Sequence, residues 1–467
     1  MERFLTFLDN KGHTGRDLAN SVLEYLKGLG IDISNCRGQT YDNAANMSGI
    51  YNGMQAAVRE VVPHADFVPC FAHSLNLVGQ SAVNCCTGAT KFFDFVGKIY
   101  VFFSASTSRW QRLSGVLKEH QLSVVKRLSD TRWSAHCDAT HALLRGYEYI
   151  WQLVETISDD KSQNAETRAT AKGLATAFSN LETAVMTEVW DCILTRFNAT
   201  SKSLQDSCVD LNTAFKDLKS LKSFVMSLRE RFDEFEERAI VRCNNSEYQS
   251  SVKRIQRRNK RLDYDSGLKS NSNEITLSPR DNFKVKTYLP ILDQLVSSLD
   301  KRVDAYQLLS KRFNFLAHIG SDKCNPKSVS EEARELVSLY PQDIEPLLGD
   351  ELIHLSEFVS LCKDEKEEGE SNEMFTYRIM KDKGLASTFP NAEILLRIYL
   401  SLMVSNASGE RSFSKSKLIK SELRSVMSQQ RLKSLSLLSI ESDVLKKLDF
   451  EDVIDKFSIK KSRKLSN

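Results

Sequence analysis

The chain has 467 residues, 41% of them apolar and 27% charged, with a formal net charge of +3. That length allows about two or three domains with sizeable cores, and so near-neutral a total says little about partners, which leaves charge in blocks as the informative quantity. No apolar run reaches membrane-spanning length and the first residues lack a basic-then-apolar signal pattern, so the expectation is an intracellular chain with no membrane partner. Ten cysteines, of which only Cys85 and Cys86 are adjacent and none forms Cys-x-x-Cys, read as buried reduced thiols.

In chain order, Glu2–Asp9 (ERFLTFLD) is a short aromatic-rich run ended by Asn-Lys-Gly and reads as a strand and turn. Thr14–Gly28 reads as a helix, with Thr14 as N-cap, Leu18, Val22, Leu23 and Leu26 on one face, and Gly28 and Gly30 as its stop. Ile31–Tyr41 is an extended segment that delivers Asp42. Asn46–Val62 is helical up to Pro63, and Phe67–Val78 is another apolar segment, carrying Cys70 and His73. Strand and helix in alternation predict a parallel or mixed sheet with helices on its faces.

Lys91–Leu128 reads as helical, with Phe92, Phe93, Phe95, Val96, Ile99, Val101 and Phe102 too dense for a surface helix and therefore in the core. Arg132 and Trp133 follow, inside DTRWSAH. Trp133 is either a core aromatic at a helix start or an exposed indole that stacks on an unpaired base while Arg132 holds a phosphate. His136 and His141 read as surface helix residues. From about 142 to 385 the pattern is all-helical, clearest in the stripe Leu211, Phe215, Leu218, Leu221, Val225, Leu228, Phe232 and Phe235. Arg242–Asn282 interrupts it with a Ser- and Asn-rich loop containing Lys253–Arg261 (KRIQRRNKR), which binds nucleic acid, directs nuclear import or is a solvated face. Lys363–Glu373 reads as an acidic exposed loop. After Phe389-Pro390 the chain is helical again. The stripe on Leu432, Leu435 and Leu438, continued by Val444, Leu445 and Leu448, carries more apolar surface than one thin layer needs.

Two acids lie at telling positions, Asp42 at the end of an apolar run and Glu410 in the first turn of a distant helix. Such carboxylates can bridge divalent ions that clamp the oxygens of a phosphoryl transfer, or they merely cap a helix and sit at a favourable dipole end. Their contexts are Asp42-Asn43-Ala44-Ala45-Asn46-Met47 and Ser408-Gly409-Glu410-Arg411-Ser412-Phe413-Ser414. Between them lie Cys70-Phe71-Ala72-His73 and Arg132-Trp133. Together, and in this order, these four motifs resemble the hAT superfamily of DNA transposases, in its zinc finger MYM-type branch.

The resemblance implies an α/β plus all-α fold: a partial ribonuclease-H-like core (1–141) interrupted by a large helical insertion domain (142–385, loop near 242–282) and completed by a C-terminal dimerisation region (386–467). It implies Asp42 and Glu410 as two of three catalytic acids holding Mg²⁺, Arg132 and Trp133 on DNA, Cys70 and His73 as a structural pair rather than a zinc site, and Leu432, Leu435 and Leu438 in a dimer contact. The first acid of the family has no counterpart in this sequence, since neither Asp9 nor Asp17 sits in its context. The expectation is therefore a nuclear, transposase-derived protein, non-catalytic as written, that pairs with itself as a homodimer or higher oligomer and with DNA. The alternatives are a fragment of an active Mg²⁺-dependent transposase, or a domesticated protein-interaction or transcription-regulatory module.

Overall fold

The first regular element begins where the sequence places a cap. In this computed structural model, which describes residues 2–9, 12–129, 133–206, 209–248, 277–421, 424 and 426–461, Thr14 and Asp17 form a capping box. The Asp17 amide donates to the Thr14 hydroxyl over 3.2 Å while the Asp17 carboxylate accepts from the Thr14 amide and hydroxyl. Helix α1 (Gly15–Gly28) follows, and Gly30 at φ +70° turns the chain away in the left-handed region that glycine tolerates. Asp17 thereby has a local structural job.

Strands β1 (Gly38–Gln39) and β2 (Asp66–Phe67) pair in parallel, Gly38 opposite Asp66 and Gln39 opposite Phe67. Between them run α2 (Ala45–Ser48) and α3 (Met54–Val61). The apolar faces of α1 and α3 meet in a small core of Ala19, Met54, Ala57, Val58, Val62 and Ala65. This is the β-α-β connection that parallel pairing requires.

From there the chain is helical: α4 (Phe71–Val83), α5 (Thr87–Ser104), α6 (Thr107–Glu119), α7 (Trp133–Asp159), α8 (Ala165–Phe178), α9 (Leu181–Ser203), α10 (Leu211–Ser227), α11 (Phe232–Cys243), α12 (Pro279–Phe283), α13 (Leu289–Phe313), α14 (Pro326–Leu339), α15 (Leu348–Leu361), α16 (Asn372–Asp382) and α17 (Pro390–Ser401). Then come α18 (Ala407–Ile419), α19 (Gln429–Ile440), α20 (Ser442–Leu445) and α21 (Glu451–Lys461). The chain divides into two units, Met1–Cys70 with Arg397–Asn467, and Phe71–Leu396. These divisions fall at other positions than the 141/142 and 385/386 boundaries read from the sequence. No described helix is long and apolar enough to cross a membrane.

In the Phe71–Leu396 unit the expected stripe is real. Leu211, Leu218, Leu221, Val225, Leu228, Phe232 and Phe235 are all buried, although a turn at Leu228–Glu230 divides the run into α10 and α11. A buried polar chain crosses this core: Ser310 Oγ donates to Asn212 Oδ1 (2.9 Å) and Asn212 Nδ2 donates to Glu373 Oε1 (3.0 Å). Glu373 closes the segment read as an acidic loop, yet it is only 2% exposed because it opens α16 against α10.

Several expectations need correction. Glu2–Asp9 holds no regular secondary structure, since a strand forms only beside another strand and none is there among the described residues. The segment is held by side chains instead: Arg3 pairs with Glu441 at 2.7 Å, the Phe4 amide donates to Glu441, and Gln429 donates to the Phe7 carbonyl. Asn46–Val62 is two helices, because Gly49 and Gly53 approach so closely that a Cβ on Gly53 would lie 2.4 Å from the Gly49 amide nitrogen. Phe67–Val78 contributes only one strand residue, Phe67, before it becomes α4, whose Phe71, Leu75, Val78 and Ala82 are buried. Helix ends at Glu119 rather than running to Leu128, and Val101 is 62% exposed on the outer side of α5. The α/β expectation thus reduces, among the described residues, to one parallel pair in a mostly helical chain.

Candidate functional site

The two acid-bearing stretches come together in the unit formed by the chain's two ends. Gly38 makes room at β1: a Cβ there would lie 3.1 Å from the Ser401 carbonyl oxygen and from the Leu402 side chain. Two residues on, the Thr40 hydroxyl donates to the Met403 carbonyl over 2.6 Å. The Cys70 amide donates to the Tyr41 carbonyl at 3.1 Å, while Cys70 Sγ, itself buried, lies 3.9 Å from the Ser405 hydroxyl. Residues 401–407 therefore run beside β1 and its exit, which sets the start of α18 near the segment that carries Asp42.

Asp42 is half-buried and its Oδ1 accepts from the Ala44 amide at 3.1 Å, a short-range turn that precedes α2. Glu410 is exposed in the first turn of α18, where the helix dipole favours a carboxylate. Glu410 thus sits at the favourable end of a helix dipole, whereas Asp42 makes a local turn and does not cap α2, whose N-cap position is Ala44. A divalent ion needs several oxygen ligands at once, and among the described residues no three His, Cys, Asp or Glu side chains are grouped to hold a metal. The pair as it stands does not fit a metal centre.

The other expected residues lie as follows. His73 is half-buried in the first turn of α4. Arg132 lies outside the described residues, as does Lys253–Arg261. Trp133 opens α7, half-buried, with its indole N–H donating to the Asn76 carbonyl. Its ring packs beside Phe93, His136 and Trp190, and it fills the place a Cβ on Gly79 would need, at 2.1 Å. These are the surroundings of a core aromatic. His136 belongs to the same aromatic group, whereas His141 is exposed and pairs with Asp191 at 3.0 Å.

The three leucines of the C-terminal stripe have different fates. Leu432 is buried inside its own unit at 7% exposure, Leu435 is half-buried, and Leu438 is exposed. Leu432 therefore serves the fold of the single chain, in which α19 packs on α18. Sequence periodicity missed two further apolar groups that face water, Phe413 and Leu418 on α18, which lie among Lys and Ser residues without a helical repeat. The same helix is basic, with Arg411, Lys417 and Lys420 exposed and Lys415 donating to the Ser439 carbonyl.

Comparison with known families gives two matches. Residues 1–53 match the ZMYM1/FAM200, RNase-like domain, and residues 379–444 match the hAT family C-terminal dimerisation region. Asp42 falls in the first and Glu410 in the second. The first match includes α1, β1 and α2, and the second runs from the end of α16 through α17, α18 and α19.

Proposed function

We propose that this chain, a hAT-derived protein of the ZMYM1-like kind, acts as a self-associating protein whose C-terminal region supplies the contact. One observation carries the reading: within the matched dimerisation region, Phe413 (67%), Leu418 (80%) and Leu438 (47%) are left exposed. Burying a side chain of that size is worth about 1.5–3 kcal/mol, so a second copy covering them is stabilised accordingly. Light scattering at micromolar concentration is expected to give a dimer, and joint Phe413→Asp and Leu438→Asp substitution a folded monomer. A parent chain that is already monomeric there would overturn the reading.

In the same reading the protein does not cut DNA. What supports this is the local engagement of Asp42 and the exposure of Glu410, which among the described residues do not come together with a third ligand in a metal-holding group. Metal-dependent nicking by the purified chain with Mg²⁺ or Mn²⁺, lost in Asp42→Ala, would instead identify it as part of an active enzyme.

DNA contact is the second reading, and the basic side of α18 favours it. Arg411, Lys417 and Lys420 would contact phosphates irrespective of sequence, with affinity falling steeply as salt rises. A nuclear location belongs to this reading. The β1–β2 pair with α1 and α3 reads as a piece of a ribonuclease-H-like core. Stacking of Trp133 on a base would require the indole to leave its packing and its bond to Asn76. Binding that is insensitive to salt, or unchanged when the three cations become Gln, would remove the DNA reading.

A further inference from the structure

Outside both matched stretches, helices α7 and α11 each pack on α9 and leave a cleft between them, with a cavity of about 520 Å³. One wall carries Glu148, Trp151 and Glu155 of α7, and the other Arg238, Val241 and Arg242 of α11. The three α7 residues stand at i, i+3 and i+7, so a single helix face presents an indole between two carboxylates. Both glutamates are exposed. Glu148 accepts one bond, from the Gln152 amide at 3.1 Å, and the Glu155 carboxylate has no partner among the described residues.

The arginines opposite are already engaged. Glu188 of α9, only 6% exposed, accepts from Arg242 Nε (2.8 Å) and Nη2 (2.6 Å) and pairs with Arg238 at 3.2 Å. Arg242 Nη1 donates to the Leu144 carbonyl at 2.8 Å. Glu148, Glu155 and Glu188 against Arg238 and Arg242 leave one net negative charge, and the carboxylates outside any ion pair lie on the α7 wall. The Trp151 indole N–H is enclosed, so what reaches the cleft is ring carbon. Val241, 84% exposed, adds apolar surface opposite.

We propose that this cleft binds an extended peptide segment of a partner protein that carries two arginines three positions apart. Arginine suits a wall of acid and indole, because its guanidinium pairs with a carboxylate while its flat face and methylene stem lie on ring carbon. Two cations match two carboxylates, which are seven residues and therefore about 10 Å apart along α7. An extended chain covers that length in about three residues. A helical partner covers it in two turns, but two turns of helix fill roughly 800–1200 Å³, more than the cavity holds. On the other wall the Arg238 guanidinium donates to backbone carbonyls of the segment, and Val241 covers its apolar atoms. None of the residues of the self-association reading takes part, so the two readings stand or fall separately.

The test is calorimetric titration of the full chain with the peptide acetyl-Ala-Arg-Ala-Ala-Arg-Ala-amide, beside the same peptide with glutamate for both arginines. Saturable binding of the arginine peptide at one site per chain is expected, and none of the glutamate peptide. An exposed ion pair is worth a factor of about two to five, so joint Glu148→Gln and Glu155→Gln substitution should weaken binding about tenfold. Val241→Lys, at a position open to solvent, sets a cation in the cleft and should weaken it as well. Circular dichroism before titration confirms that each variant is folded. Absence of saturable binding, equal binding of the glutamate peptide, or unchanged affinity in either folded variant would each overturn the proposal.

Discussion

The Thr40 hydroxyl and the Met403 carbonyl meet over 2.6 Å, joining positions 363 residues apart in the chain. The donor stands two residues before Asp42, and the acceptor opens the loop that leads into α18 and Glu410. Thr40→Val keeps the shape of the side chain but leaves the carbonyl without this donor. The expected loss is about 1–3 kcal/mol in urea unfolding, with faster amide exchange over 404–410. Unchanged stability and exchange would mean that the bond does not hold the two stretches together.

That bond also shows what the sequence could not reveal. Local signals were readable: Thr14 and Asp17 announce a helix start because capping acts within one turn, and the 211–235 stripe repeats every three or four residues. Asp42 and Glu410 were legible through their neighbours in sequence. Their structural link was not, since a hydroxyl meeting a distant carbonyl leaves no period to detect. Glu2–Asp9 misled for a related reason: a short aromatic-rich run suits a strand, but strands depend on partners, and here Glu441 and Gln429 take the groups that a partner would. Phe67–Val78 misled because a continuous apolar run fits a buried strand or a buried helix equally.

Glu373 should make stability depend on pH. It is 2% exposed, and burial, reinforced by the negative charge of Asp210, raises its carboxyl above the ordinary value of 4.5. A raised carboxyl means that the folded chain holds a proton the unfolded chain has released. Its contribution is fully present below the ordinary value and is lost as pH rises through the raised one. Glu373→Gln keeps an acceptor for Asn212 and removes the charge. Near pH 4.5 its unfolding free energy should match the parent, and above that it should exceed it. A variant less stable than the parent at pH 7 would contradict this.

Tyr248 and Arg280 flank the residues 249–276, and both grip Glu236 of α11. The Tyr248 hydroxyl donates to Oε1 at 2.6 Å, and the Arg280 guanidinium donates to both oxygens, Nε at 2.8 Å and Nη2 at 2.7 Å. A two-pronged arginine–carboxylate pair of this kind fixes orientation as well as charge. Helices α11 and α12 are thereby tied to each other. Glu236→Ala should cost about 1–2 kcal/mol, because the pair is partly open to solvent. A Glu236→Ala variant as stable as the parent in urea unfolding would show that the pair does not tie the two helices.

Leu432 and Leu438 sit on the same helix and should separate folding from assembly. Leu432 is buried against its own unit at 7% exposure, while Leu438 stands 47% exposed. Truncating a buried leucine removes its transfer energy and leaves a cavity, so Leu432→Ala should destabilise the chain by about 2–5 kcal/mol. It should not change the dimer dissociation constant under conditions where the variant is folded. Leu438→Asp should do the reverse. An exposed substitution changes the monomer by no more than about 0.5 kcal/mol, yet it places a charge where a second copy would bring apolar surface. Denaturation at concentrations below dissociation, paired with sedimentation equilibrium above it, reads the two effects separately. If Leu432→Ala weakened association at full stability, the buried side of α19 would be the contact and the exposed side would not.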